Sequence, residues 1–167
     1  PSHAVPGYRS PIVQLRRELD LYANIRPTSG PGVDLVIVRE NTEDLYAGVE
    51  FSPVPDALAT TLSALSKPFA HFAELPGDQY AISCKVNTRK GSERIVRAAF
   101  DFARKFGRKK VTIVHKANVV RATDGLFFEE AKKVAAEFPE IAVDDANIDA
   151  ICMWLLKNPM SYDVLVA

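Results

Sequence analysis

Arg16, Arg26 and Arg39 are fixed cations with planar forks of donors, each suited to a carboxylate or a phosphate. An isolated arginine is ordinarily a solvated surface residue. Three that converge could instead hold a multiply charged small acid. Tyr46 follows Arg39 closely and offers a phenol that can pass a proton. Asp144, Asp145 and Asp149 form a small acidic cluster. Such a cluster is ordinarily charge favoured by a helix N-terminus. It also supplies hard oxygen atoms of the kind that bind magnesium or manganese.

The elements that must position these residues can be read from periodicity. VDLVIVRENTEDLYAGVEF, residues 33–51, opens with an apolar run long enough for a buried strand and then turns abruptly to charge at Arg39. Open α/β folds place ligands where a buried strand ends. Upstream, Ile12, Leu15, Leu19 and Tyr22 share one face of a helix predicted over residues 10–22, with Ser10 as N-cap and Pro11 in the first helical position. Residues 23–26 read as extended, and 28–32 as a loop begun by Pro27. Downstream, strands are predicted at 80–86, 111–115, 141–143 and 164–166. Helices are predicted at 92–106, 123–138 and 147–157. Strands and helices alternate from Tyr80 onward, so the expected class is α/β. Residues 52–78 are irregular, with Pro53, Pro55, Pro68 and Pro76, and a possible helix at 56–65.

Composition narrows the partners. The 21 basic and 21 acidic residues cancel, which argues against nucleic acid or a polybasic membrane contact. No apolar run approaches the roughly 20 residues of a membrane span. Cys84 and Cys152 show no metal spacing and no disulfide framework, and are expected to be buried small apolar residues in a reducing compartment. GxGxxG and GxxxxGK[ST] phosphate loops are both missing. The 167 residues suffice for one domain, 1–167. The first residue is not Met, and the last run reads as a strand with nothing after it. The expectation is an internal piece of a larger protein.

Three stretches carry a resemblance: RSPIVQLRRELDLYANIRP from Arg9, RENTEDLYAGVE from Arg39, and VHKANVVRATDGLF from Val114. Together they resemble the isocitrate and isopropylmalate dehydrogenase family, over nearly the whole chain. The resemblance implies a larger, two-domain enzyme with that family's α/β fold, here its small substrate and dimerisation domain with a clasp region at 52–78. It implies substrate carboxylates on Ser10, Arg16, Arg26 and Arg39, with Arg9 and Arg17 solvated. Lys116 takes the position of the catalytic lysine, which can stabilise an alkoxide as hydride leaves. Tyr46 takes that of the acid that protonates the product carbon, and Asn118 a position close to substrate and nicotinamide. In ANIDAICM, Asp149 matches a metal-ligand aspartate, with two further aspartates expected beyond Ala167.

The implied reaction is oxidative decarboxylation of a hydroxy-tricarboxylate with NAD or NADP and Mg2+ or Mn2+. SPIV and ELDLYANIRP look more like the isocitrate members. Homoisocitrate and isopropylmalate dehydrogenases are the alternatives, as is a non-catalytic regulatory subunit of a hetero-oligomeric dehydrogenase or a bare interaction module. The resemblance also implies a homodimer, with Lys116 and Asp149 serving the partner's site. It implies a cytoplasmic or mitochondrial-matrix location and no activity for this piece alone.

Overall fold

The computed structural model describes residues 11–167, which form two compact units. One holds the described residues through Asp44 together with Asn87–Ala167, and the other is Leu45–Val86.

In the first unit, α1 (Pro11–Glu18) precedes β1 (Ala23–Gly30), and a turn at Gly32 leads into β2 (Val33–Glu40). Gly32 has φ of +73°, which favours glycine in that turn. β1 and β2 pair antiparallel along their full lengths, Ala23 opposite Glu40 and Gly30 opposite Val33. The loop expected at 28–32 is therefore strand through Gly30, and only residues 31 and 32 turn. Pro27 is tolerated because β1 is an edge strand, where a missing N–H can face solvent.

After the second unit the chain returns through α3 (Arg89–Lys105) and β5 (Lys110–His115). It continues through α4 (Thr123–Ala135), β6 (Ala142–Asn147), α5 (Ile148–Lys157) and β7 (Val164–Val166). The five strands lie in the order β1-β2-β7-β5-β6, and β2, β7, β5 and β6 are mutually parallel. The carboxyl ends of these four strands share one edge of the sheet.

Two cores sandwich the sheet. On one face Val36, Val38, Val111, Ile113, Val164 and Val166 meet Ile95, Val96, Ala99 and Phe100 of α3 and Phe127, Ala131 and Val134 of α4. On the other, Leu35, Val114 and Leu165 meet Ile151 of α5. The 3.6-residue stripes of α3 and α4 are thus spent on the sheet, as their sequences predict. Within those stripes Phe106 is a departure, exposed just before the Gly107 turn (φ +68°).

Two expectations about burial fail. Ile12, Leu15 and Leu19, three of the four residues expected to share a helix face, are exposed; α1 ends at Glu18, before Leu19, and has no buried residue, while Tyr22, the fourth, packs against the core. Amphipathic spacing shows which side chains share a face, not whether anything covers it. Cys152 is exposed, because α5 turns Ile151 and not its neighbour toward the sheet, and Cys84 is only half-buried.

The second unit contains β3 (Asp44–Phe51) and β4 (Ile82–Val86), paired as a two-stranded sheet, with α2 (Asp56–Leu65) and a 3-10 turn at Lys67–Phe69. The strand over β3 is not legible in the sequence, since its burial does not alternate. Gly77 packs against the carbonyl of Val54, where any Cβ would collide, and its own carbonyl accepts from Val54 N–H at 2.8 Å.

Candidate active site at the carboxyl edge of the sheet

The helices that follow β5 and β6 leave on opposite faces: α4 packs on one side, α5 on the other. Adjacent parallel strands whose connections diverge in this way open a crevice at their carboxyl ends, where α/β folds bind ligands. Lys116 and Asp149 meet there. Lys116 lies two residues beyond Val114, so it points to the α5 side, and its Nζ is 2.6 Å from Asp149 Oδ1 in the first turn of α5. The ammonium holds the Asp149 carboxyl below the usual carboxylate range, helped by backbone hydrogen bonds at the helix start.

The peptide of Lys116 is fixed from both sides. Its N–H donates to the buried carboxylate of Asp124 at 2.6 Å, and its carbonyl accepts from the N–H groups of Val119 and Val120 at 2.9 and 2.8 Å. Asn118, exposed on that turn, presents its side-chain amide two residues past Lys116. His115 faces the other way. It packs on Phe128, its Nδ1 accepts from Ala117 N–H at 3.1 Å, and its Nε2 sits 3.2 Å from Asp145. With Nδ1 an acceptor, the neutral ring carries its proton on Nε2 and donates to Asp145. Both ring nitrogens of His115 are thus engaged within its own unit.

The arginines lie at the β1–β2 end of the same edge. Arg39 pairs with Asn24 across the ladder, and Arg26 Nε donates to Asn24 Oδ1 at 3.0 Å. Cross-strand partners share a face, so Arg26 and Arg39 are diagonal neighbours on one side of the sheet. That side is again the α5 side, because Leu35 and Ile37, in phase with Arg39, pack there. Only β7 separates β2 from β5, so the Arg39 and Lys116 strand ends are about 10 Å apart in the sheet at the usual strand spacing.

The rest of the RENTED cluster is scaffolding. Asn41, buried, accepts from Arg39 Nη2 at 3.2 Å and donates to the Leu21 carbonyl at 3.1 Å, orienting the guanidinium. The Glu40 carboxylate accepts from Thr42 N–H, Thr42 Oγ1 and Glu43 N–H. Glu43 accepts from Thr88 N–H at 2.8 Å and Thr88 Oγ1 at 2.6 Å, while that hydroxyl accepts from Gly91 N–H and caps α3. A Cβ on Gly91 would run into the Glu43 carboxylate. Arg94 of α3 donates to both oxygens of Asp20 and to Thr42 Oγ1, and stacks over Tyr22 at 4.5 Å. Charge that reads as ligand-binding in the sequence is largely consumed in holding Arg39 and the β2 exit.

The remaining expected residues lie on other elements. Arg16 lies half-buried on α1, the helix that feeds β1. Tyr46 is exposed on β3 in the second unit. Ser10 lies outside the described residues. Among the described residues, no group of three or more His, Cys, Asp or Glu side chains could hold a metal ion. Asp149 is a single carboxylate already paired with Lys116, so this chain's described residues do not by themselves fit a metal centre. No helix among them is long and apolar enough to cross a membrane.

The chain resembles known proteins over nearly its whole length. The family model for isocitrate/isopropylmalate dehydrogenase matches residues 2–167. The chain belongs to the isocitrate/isopropylmalate dehydrogenase family. It is 43% identical over 163 residues to a 3-isopropylmalate dehydrogenase of Archaeoglobus fulgidus, covering 93% of this chain and 43% of that protein. It is 42% identical over 168 residues to the mitochondrial NAD isocitrate dehydrogenase catalytic subunit 6 of Arabidopsis thaliana, covering 96% and 39%. Among solved structures, an isocitrate dehydrogenase from Methylococcus capsulatus superposes with a TM-score of 0.79 at 46% identity, over 98% of this chain and 45% of that one. The chain thus spans less than half the length of these family members. Its fold is theirs, and its relatives divide among proteins named for isopropylmalate, isocitrate and homoisocitrate.

Proposed function

We propose that the whole protein to which this chain belongs oxidises and decarboxylates isocitrate, using NAD or NADP. The observation that carries this reading is the shared face of the sheet edge. Arg26 and Arg39 stand as neighbouring cations at one end, and the Lys116–Asp149 pair at the other. Such an arrangement suits a small acid with several carboxylates and a hydroxyl to be oxidised. Arg26 and Arg39, with Arg16 and Ser10, would bind and orient the carboxylates. Lys116 would assist loss of the hydroxyl proton and stabilise the developing alkoxide. Tyr46 would protonate the carbon left after carbon dioxide departs. Asn118 offers an exposed donor and acceptor to a nicotinamide coenzyme, which when bound would accept the hydride.

The family resemblance further supports a homodimer in which Lys116 and Asp149 of one subunit complete the site of the other. The presence of Arg16, Arg26, Arg39, Tyr46, Lys116 and Asp149 together favours a catalytic over a regulatory subunit.

Isopropylmalate is the second reading. Ile12 and Leu15 stand exposed on α1, 61% and 50% accessible, and could meet an alkyl tail. The A. fulgidus relative, named for that activity, points the same way. Assay of the full-length protein with isocitrate, homoisocitrate and 3-isopropylmalate, following nicotinamide reduction and carbon dioxide release, tests the choice. The highest kcat/KM is expected with isocitrate. Preference for isopropylmalate would overturn the substrate, and no turnover of any of the three would overturn the enzymatic reading.

A further inference from the structure

We infer that Asp124 is a positioning residue for Lys116, and this rests on the reading of Lys116 as the proton-handling group. Asp124 stands in the first turn of α4, eight residues beyond Lys116, and is 6% exposed. A buried carboxylate is costly unless its oxygens are engaged, and a helix N-terminus offsets part of that cost. Asp124 uses its Oδ2 to accept the Lys116 N–H at 2.6 Å, a charge-assisted bond.

That bond closes the turn at its start, while Val119 and Val120 close it at the Lys116 carbonyl. Among the described residues no strand holds the Lys116 backbone, since β5 ends at His115. Asp124 therefore fixes the last peptide from which the lysine side chain reaches out to Asp149. Loss of the bond would let this peptide rotate and withdraw Nζ from its place beside Asp149.

The test uses the full-length enzyme and the variants Asp124→Asn and Asp124→Leu. Asn keeps an acceptor oxygen. Leu has similar bulk, suits a buried position and accepts nothing. With Asp124→Leu, kcat should fall about 100-fold with KM within a few-fold, the size of effect that follows a small displacement of a reacting group. Asp124→Asn should recover most of that loss. In a Lys116→Met background Asp124→Leu should cost nothing further, since a positioning residue has nothing left to position.

A second readout needs no turnover: the rate at which acetic anhydride acylates Lys116, followed by mass spectrometry. Acylation should quicken several-fold in Asp124→Leu and stay near wild type in Asp124→Asn. If wild type turns over no hydroxy acid, the functional reading fails while acylation still decides the role of Asp124. Unchanged acylation in a folded Asp124→Leu variant, or a loss of kcat that persists undiminished in the Lys116→Met background, would overturn the inference.

Discussion

Lys116 Nζ and Asp149 Oδ1 lie 2.6 Å apart, bridging the end of β5 and the start of α5. The pair sits where the connections of β5 and β6 part to opposite faces, so the fold, not the loop sequence, brings the two together. Lys116 is half-buried and Asp149 exposed, which leaves the carboxylate open to solvent on its far side.

This contact gives the first prediction. The Lys116 ammonium is the leading cause of the depressed Asp149 pKa. A carboxyl lowered in the folded state contributes stability that is present above the unfolded value, about 3.9. That stability is lost as pH falls through the lower folded value. Lys116→Met should therefore raise the Asp149 titration midpoint toward that of an ordinary aspartate. A carboxyl-carbon NMR titration measures it, and an unmoved midpoint in the variant would contradict the pairing.

Arg39 carries the second. Its guanidinium is held by buried Asn41, so a lysine in its place would lose both the planar fork and that anchor. Arg39→Lys in the full-length enzyme should lower kcat/KM for isocitrate roughly 10- to 100-fold, the range expected for a charge-assisted hydrogen bond worth about 1.5–3 kcal/mol. Most of the change should fall on KM. Steady-state kinetics at saturating coenzyme decide it, and an unchanged kcat/KM would remove Arg39 from the substrate site.

How much of this is legible in the sequence differs by element, for physical reasons. The α3 stripe is correct because a sheet face lies beneath it. The same kind of stripe on α1 misleads because Ile12, Leu15 and Leu19 have nothing over them among the described residues. Lys116 and Asp149 each carry a motif and can be named singly, but their contact joins residues far apart in the chain and belongs to strand order. Glu40 and Glu43 stand in the run of charge that follows the β2 strand. Their partners are backbone N–H groups and a helix cap 45 residues away, which no local pattern displays. Asp124 has a signal, an acid in a first helical turn, but its bond to Lys116 N–H is a matter of three-dimensional closure.

The core yields a third prediction. Phe100 is fully buried on α3, with its ring 5.0 Å from that of Phe138. Phe100→Ala removes this packing between α3 and the segment after α4 and should destabilise the first unit by about 3–5 kcal/mol. Urea denaturation measures the loss. A change below about 1 kcal/mol would mean that the site collapses around the smaller side chain.

The second unit supplies the last. Among Leu45–Val86 only Val54 is buried, and α2 has no buried residue. Leu65 is 80% exposed, and Leu45, Phe72 and Leu75 also stand open. A two-stranded sheet is marginal by itself, and this much unburied apolar surface calls for a cover. The expected cover is the same unit of a second subunit, in an isologous clasp about a two-fold axis. A self-complementary face of this kind needs no other protein and would be repeated on both copies. Leu62→Asp with Leu65→Asp would place like charges on α2 of each copy, facing one another across the expected interface. Light scattering of the purified protein should therefore report a dimer for the parent and a smaller mass for the folded double variant. A monomeric parent at every accessible concentration, or a double variant that keeps its mass, would rule out the clasp through this helix.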